Sequence, residues 1–175
     1  MPDLVSQLEH LADIPLYKEE KPYVVLVAAD KDDDSHELHN IRMETHENIL
    51  FTDIRPQMKY YTIDTCGFEI VPHDMTSLEL ANPQQVATYK TETAQFLQRH
   101  FKAAYVQCYE ARLRRNLPFV ERAVDLNDAM LTERKAAGAH IDVTMKSGPD
   151  QIMHHLPEDA KAKYLKAGYR FRFVK

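Results

Sequence analysis

The chain has 175 residues, with 22 Lys and Arg against 27 Asp and Glu, a formal net charge of −5, and its basic residues are dispersed along its length. That balance excludes non-specific binding to nucleic-acid phosphates, and 4 glycines among well-spread apolar residues exclude a collagen-like or disordered chain. The size fits a single domain, residues 1–175, with a core of its own. The first segment has no basic region ahead of an apolar run, so it does not read as a signal peptide. The longest apolar run, Val24 to Ala29, is too short to span a bilayer, and a cytoplasmic protein is the default expectation. Cys66 and Cys108 are too few and too distant for a disulfide framework and are expected as buried free thiols.

In chain order, Leu4, Leu8 and Leu11 behind Asp3 predict a short amphipathic helix over residues 3 to 12. Tyr23 to Ala29 predicts a buried strand. Asp30 to His39 is acidic and predicts a solvated loop; Asp32, Asp33, Asp34, His36 and His39 are metal-ligand types but lack the spacing and turn glycine of a calcium loop. Ile49–Ile54, Tyr60–Thr65 and Phe68–Val71 have the pattern of a β-meander, with Cys66-Gly67 as a reversal.

Asn82-Pro83-Gln84-Gln85 combines a cap with a proline in the first turn, and an apolar stripe from Val86 to Phe101 follows, so a helix is predicted over 83–102. Ala104–Tyr109 returns to strand character, closed by Arg112, Arg114 and Arg115. Such a cluster suits a carboxylate or phosphate, and more often forms a solvated rim. Pro118 to Lys135 is mixed in pattern, with room for a short helix. Ala139–Thr144 is a strand candidate, Gln151–His155 a helical turn, and Pro157 opens a helix that stops at Gly168. Tyr169–Val174 alternates strictly, as a half-buried strand does.

His140 and Asp142 are the residues most suited to chemistry. Side chains two apart on a strand share a face, so this imidazole and carboxylate can converge as two of the three ligands of a non-heme Fe(II) facial triad. Spacing alone makes HxD a weak signal. His154 and His155 are the histidines that follow Asp142, and they read as a surface pair.

The ordered set Phe51-Thr-Asp-Ile-Arg-Pro56, Tyr61-Thr-Ile-Asp-Thr-Cys-Gly-Phe-Glu69, Tyr89-Lys-Thr-Glu92, Arg114-Arg115, His140-Ile-Asp-Val-Thr144 and His155-Leu-Pro-Glu158 resembles the AsaB-like hydroxylase/desaturase family. That family is related to CmcJ-like proteins and gibberellin desaturases, and the likeness covers about residues 20 to 175. The resemblance implies an α+β protein whose β-rich core is a double-stranded β-helix, jelly-roll or cupin-like, with flanking helices. It implies an oxidoreductase of secondary metabolism that uses Fe(II) and 2-oxoglutarate on small molecules, with His140 and Asp142 as metal ligands. Arg114 and Arg115 are the candidates for holding an acidic cofactor. The family's second ligand histidine and its 2-oxoglutarate arginine fall in a later part with no counterpart here. The expected core is then short of strands, and a homodimer or another pairing through its open edge is expected. Two other expectations stand beside this one. In the first, a scaffold without redox chemistry serves as a cyclase or isomerase using groups such as Tyr60, Tyr61, Asp64, His73 and Glu92, or serves as a non-catalytic partner subunit. The second is a plain ligand-binding barrel.

Overall fold

The computed structural model describes residues 3–24, 39–74, 79–116, 128–136 and 138–175. The chain divides into two units: Met1–Leu80 with Leu113–Ala139, and Ala81–Arg112 with His140–Lys175.

The first unit opens on a strand where a helix was expected. Leu4–Leu11 (β1) pairs antiparallel with Met43–Phe51 (β2), from Leu4 opposite Phe51 to Leu11 opposite Met43. Three leucines at helical spacing are a weak local preference, and a ladder of backbone hydrogen bonds to a distant segment overrides it. Between Ser6 and Leu8 the register slips: Ser6 faces Ile49 and Leu8 faces His46, so β2 carries one extra residue. Asn48 absorbs the bulge at φ 60°, a left-handed conformation that asparagine tolerates better than most residues.

Between the strands lies a one-turn helix, Leu16–Glu19 (α1), tied to the start of β2 through Asn40, which is 4% exposed. Its side-chain carbonyl accepts from the Tyr23 N–H at 2.8 Å, and its amide donates to the Lys21 carbonyl at 3.1 Å. The Tyr17 hydroxyl donates to the Asn40 carbonyl and accepts from the Arg42 N–H. The buried amide thus has partners for both ends, as burial of a polar group requires. Of the strand predicted over Tyr23–Ala29, the described part is Tyr23 and Val24, of which Val24 bridges His39; the rest, and residues 30–38 of the acidic loop, lie outside the described residues.

The strand predicted to run to Ile54 ends at Phe51 because Asp53 and Arg55 fold the chain over. Arg55 grips both carboxylate oxygens of Asp53 at 2.7 Å, and a 3-10 helix follows over Arg55–Tyr60 with Pro56 in its first turn. The expected strand over Tyr60–Thr65 is instead the end of that helix and a short helix, Ile63–Cys66 (α2). Thr62 caps α2 reciprocally with Thr65. Gly67 ends it at φ 79°, a left-handed position suited to glycine, so the reversal stands but follows a helix. Phe68–Val71 carries no strand; Phe68 stacks on Tyr61 at 5.3 Å. Leu113–Arg115 (β3) and Thr132–Arg134 (β4) pair in parallel, while residues 118–127 of the mixed segment lie outside the described residues.

The second unit begins with Pro83–His100 (α3), which matches its sequence signals. The Asn82 side chain accepts from the Gln85 N–H at 3.0 Å, Pro83 occupies the first turn, and Val86 is buried on the expected stripe. Gly148–His155 (α4) and Glu158–Tyr164 (α5) follow, with Ala160 and Tyr164 buried and Gly168 at φ 96° after the stop. Ala104–Tyr109, Ala139–Thr144 and Tyr169–Val174 carry apolar patterns suited to strands, yet none pairs into a ladder among the described residues. The reason is that alternation predisposes a segment to extend, while a strand also needs an adjacent partner.

The described sheets are therefore β1–β2 and β3–β4, each two-stranded, so every strand in them is an edge. A double-stranded β-helix calls for more pairings than these supply among the described residues.

Candidate active site

His140 and Asp142 come together without a strand between them. The His140 Nε2 lies 3.2 Å from the Asp142 Oδ1, and Ile141 between them is 80% exposed. The other carboxylate oxygen, Oδ2, is ion-paired with the Lys175 ammonium. This bond to Lys175 is the main reason the Asp142 carboxyl sits below the usual carboxylate range, with the charge of Lys175 and the contact with His140 adding to it and desolvation opposing it. The result is an ionised carboxylate with an imidazole on one oxygen and a cation on the other.

Asp142 borders a polar cavity of about 310 Å3 that Tyr109, Glu110, Gln151 and His155 also line. Tyr109, Gln151 and His155 at the same time line an adjoining aromatic cavity of about 340 Å3. Its walls are paired rings. Tyr109 stacks on His155 at 4.3 Å, Tyr105 stacks on Tyr164 at 5.4 Å, and Tyr169 meets Tyr164 edge-on at 5.1 Å. The Tyr105 phenol donates to the Gln107 side-chain oxygen at 2.6 Å, and burial, followed by the Asp159 charge, pushes its pKa up. Tyr105 is thus a neutral hydroxyl at ordinary pH.

The other residues singled out from the sequence lie elsewhere. Arg114 and Arg115 are on β3 in the first unit, and the Arg114 guanidinium is 3.1 Å from the Glu133 carboxylate. Tyr60, Tyr61, Asp64 and His73 belong to that unit and Glu92 to α3 of the second, so the five are divided between the units. The arginine of the DIRP segment is engaged by its own Asp53, whose carboxyl Arg55 holds far below the usual range. Cys66 is exposed, contrary to expectation, and Cys108 is half-buried; both are free thiols. The sequence missed Tyr109 and His155, and the surface pair it expected is split. His154 is exposed, whereas His155 is half-buried against Tyr109. The signal was available in the α4 face formed by Gln151, Ile152 and His155 at helical spacing.

Among the described residues, no group of three or more His, Cys, Asp or Glu side chains is gathered closely enough to hold a metal ion, and no helix is long and apolar enough to cross a membrane. His140 and Asp142 therefore fit two positions of an iron site and leave a third unsupplied among these residues. No curated protein and no solved structure matches the chain. The model of the Oxidoreductase/YMDC permease-like domain matches residues 11–175, nearly the whole length, and the chain belongs to that family.

Proposed function

We propose that the domain is an Fe(II)-dependent oxidoreductase of hydroxylase or desaturase type, holding its metal at His140 and Asp142 and its small-molecule substrate in the adjoining aromatic cavity. The observation that supports this most is the 3.2 Å between the His140 Nε2 and the Asp142 Oδ1. Metal bonds of about 2.1 Å at right angles put neighbouring donor atoms about 3.0 Å apart, so the pair has the span of one edge of an octahedral site. For 2-oxoglutarate the support is the resemblance alone, since Arg114 already faces Glu133.

Bound iron would supply the oxidising chemistry. The chain's own residues would bind and orient a substrate among the aromatic rings and keep the Asp142 carboxylate ionised through Lys175.

Anaerobic Fe(II) titration of the wild type against His140→Ala tests the proposal. One equivalent of Fe(II) per chain, lost in the variant, is expected. Equal weak binding in both proteins overturns the metal assignment. A second reading is favoured by the His140–Asp142 contact itself. A carboxylate that orients an imidazole is a proton-transfer pair, and a non-redox isomerase or cyclase would use it so. Equal weak binding would favour that reading.

A further inference from the structure

The aromatic cavity of the second unit has a charge pattern as well as a shape. At about 340 Å3 it lies near the lower end of small-molecule pockets, which run from about 300 to 1,000 Å3. Its lining is mostly aromatic and aliphatic, and it includes the stacked pairs Tyr109/His155 and Tyr105/Tyr164. Aromatic walls favour a flat guest, because offset stacking and edge contacts between rings stabilise beyond the area they bury.

The charged side chains are one-sided. Arg170, Arg172 and His155 line the cavity, and no Asp or Glu is among the described lining residues. The Arg172 guanidinium lies over the Phe101 ring at 5.9 Å, and Phe101 is itself a wall residue, which places this cation at the wall. Asp159 is close enough to act on the Tyr105 phenol but does not line the cavity. Arg170 and Arg172 are exposed, and at such a rim a guanidinium favours a carboxylate over a neutral group, since charge-assisted hydrogen bonds are about twice as strong as neutral ones.

We propose that this cavity binds a planar aromatic carboxylic acid, with the ring between the Tyr109/His155 and Tyr105/Tyr164 walls and the carboxylate toward Arg170 and Arg172. The inference takes the substrate pocket of the proposed function and names its ligand class, so it rests on that assignment of the pocket. It does not require iron, because none of the groups it uses is His140 or Asp142.

The test is calorimetric titration of the whole chain, kept in chelator, with naphthalene-2-carboxylate and with the uncharged 2-naphthalenemethanol. The acid is expected to bind at least about tenfold more tightly than the alcohol. The doubly substituted Arg170→Gln, Arg172→Gln protein is expected to lose that preference while still binding the alcohol, and Arg99→Gln on α3, outside the lining, to keep it. Equal affinity for the two ligands in the wild type overturns the proposal without recourse to any variant. So does an undiminished preference in the double variant, or the absence of binding by either ligand. Because chelator is present, acid-selective binding beside a failed Fe(II) titration removes the metal assignment and upholds the pocket. Stoichiometric Fe(II) binding without acid selectivity does the reverse.

Discussion

Tyr164 is the largest buried side chain of the second unit, 9% exposed, and replacing it with alanine gauges how firmly the aromatic cavity is built. A buried aromatic ring removes about 150–250 Å2 from water. Taking about 150 Å2 as lost on truncation to alanine, at about 25 cal/mol per Å2, gives about 4 kcal/mol. That figure uses an extended unfolded chain and is an upper one, so about 3–4 kcal/mol is expected, in line with aromatic-to-alanine changes elsewhere. The contacts with Tyr105 at 5.4 Å and Tyr169 at 5.1 Å would disappear with the ring. Tyr164→Phe separates ring from hydroxyl. The hydroxyl donates to the Ala104 carbonyl at a long 3.4 Å, so the phenylalanine protein should lose less than about 1 kcal/mol. Urea unfolding followed by far-UV circular dichroism and tyrosine fluorescence measures both, since the chain has no tryptophan to dominate the emission. If the two units unfold in separate transitions, the loss should fall on one of them alone. An alanine variant costing under about 1 kcal/mol, or a phenylalanine variant costing as much as the alanine one, would refute the packing described.

Asn82→Ala should cost about 1 kcal/mol and lower helix content by circular dichroism, because it removes the acceptor for the Gln85 N–H; Asn82→Asp should restore most of the loss, and an unchanged unfolding midpoint in the alanine variant would show that the cap is idle. Lys175→Met should raise the Asp142 pKa toward the ordinary carboxylate range, read by NMR titration of its side-chain carboxyl. The sign follows from the direction of the shift. The folded-state pKa is depressed, so the stabilisation is present above the ordinary carboxylate pKa and is lost as pH falls through the depressed value. The methionine variant should lose that acid-side dependence, and an unmoved titration would show that Lys175 does not hold the carboxylate.

The parts of the fold that could be read from sequence are those that local chemistry specifies. Asn82 with Pro83 marks the start of α3 and Pro157 precedes α5, because caps and prolines act over a few residues, whereas α5 ends at Tyr164 with Leu165 as its cap, short of the expected stop at Gly168. The parts misread depend on distant partners. Leu4, Leu8 and Leu11 fit a helix until Met43–Phe51 offers a ladder, and Tyr169–Val174 fits a strand until the absence of a paired neighbour among the described residues leaves it without one. At Thr62–Thr65 the error was local and avoidable. The β-branched run suggested extension, but a threonine cap with glycine just past the last turn spells a short helix.

The pairing of His140 with Asp142 was foreseen for a reason weaker than the one given, since two residues apart sufficed without any strand. The cavity had no such signature, because its walls come from the end of α3, residues 103–109, α4, α5 and the last segment, none of which looks like a site alone. The join between pair and cavity is carried by α4. Its 3.6-residue period turns His154 and His155 about 100° apart, leaving one in water and setting the other on Tyr109. Because Tyr109, Gln151 and His155 line both the aromatic cavity and the polar one that Asp142 borders, a ligand between the rings would be separated from that carboxylate by a single shared wall. A substitution at His155 should therefore disturb ring binding and the surroundings of Asp142 together, and one at His154 should act only through the edge-on contact its ring makes with His155 at 4.6 Å.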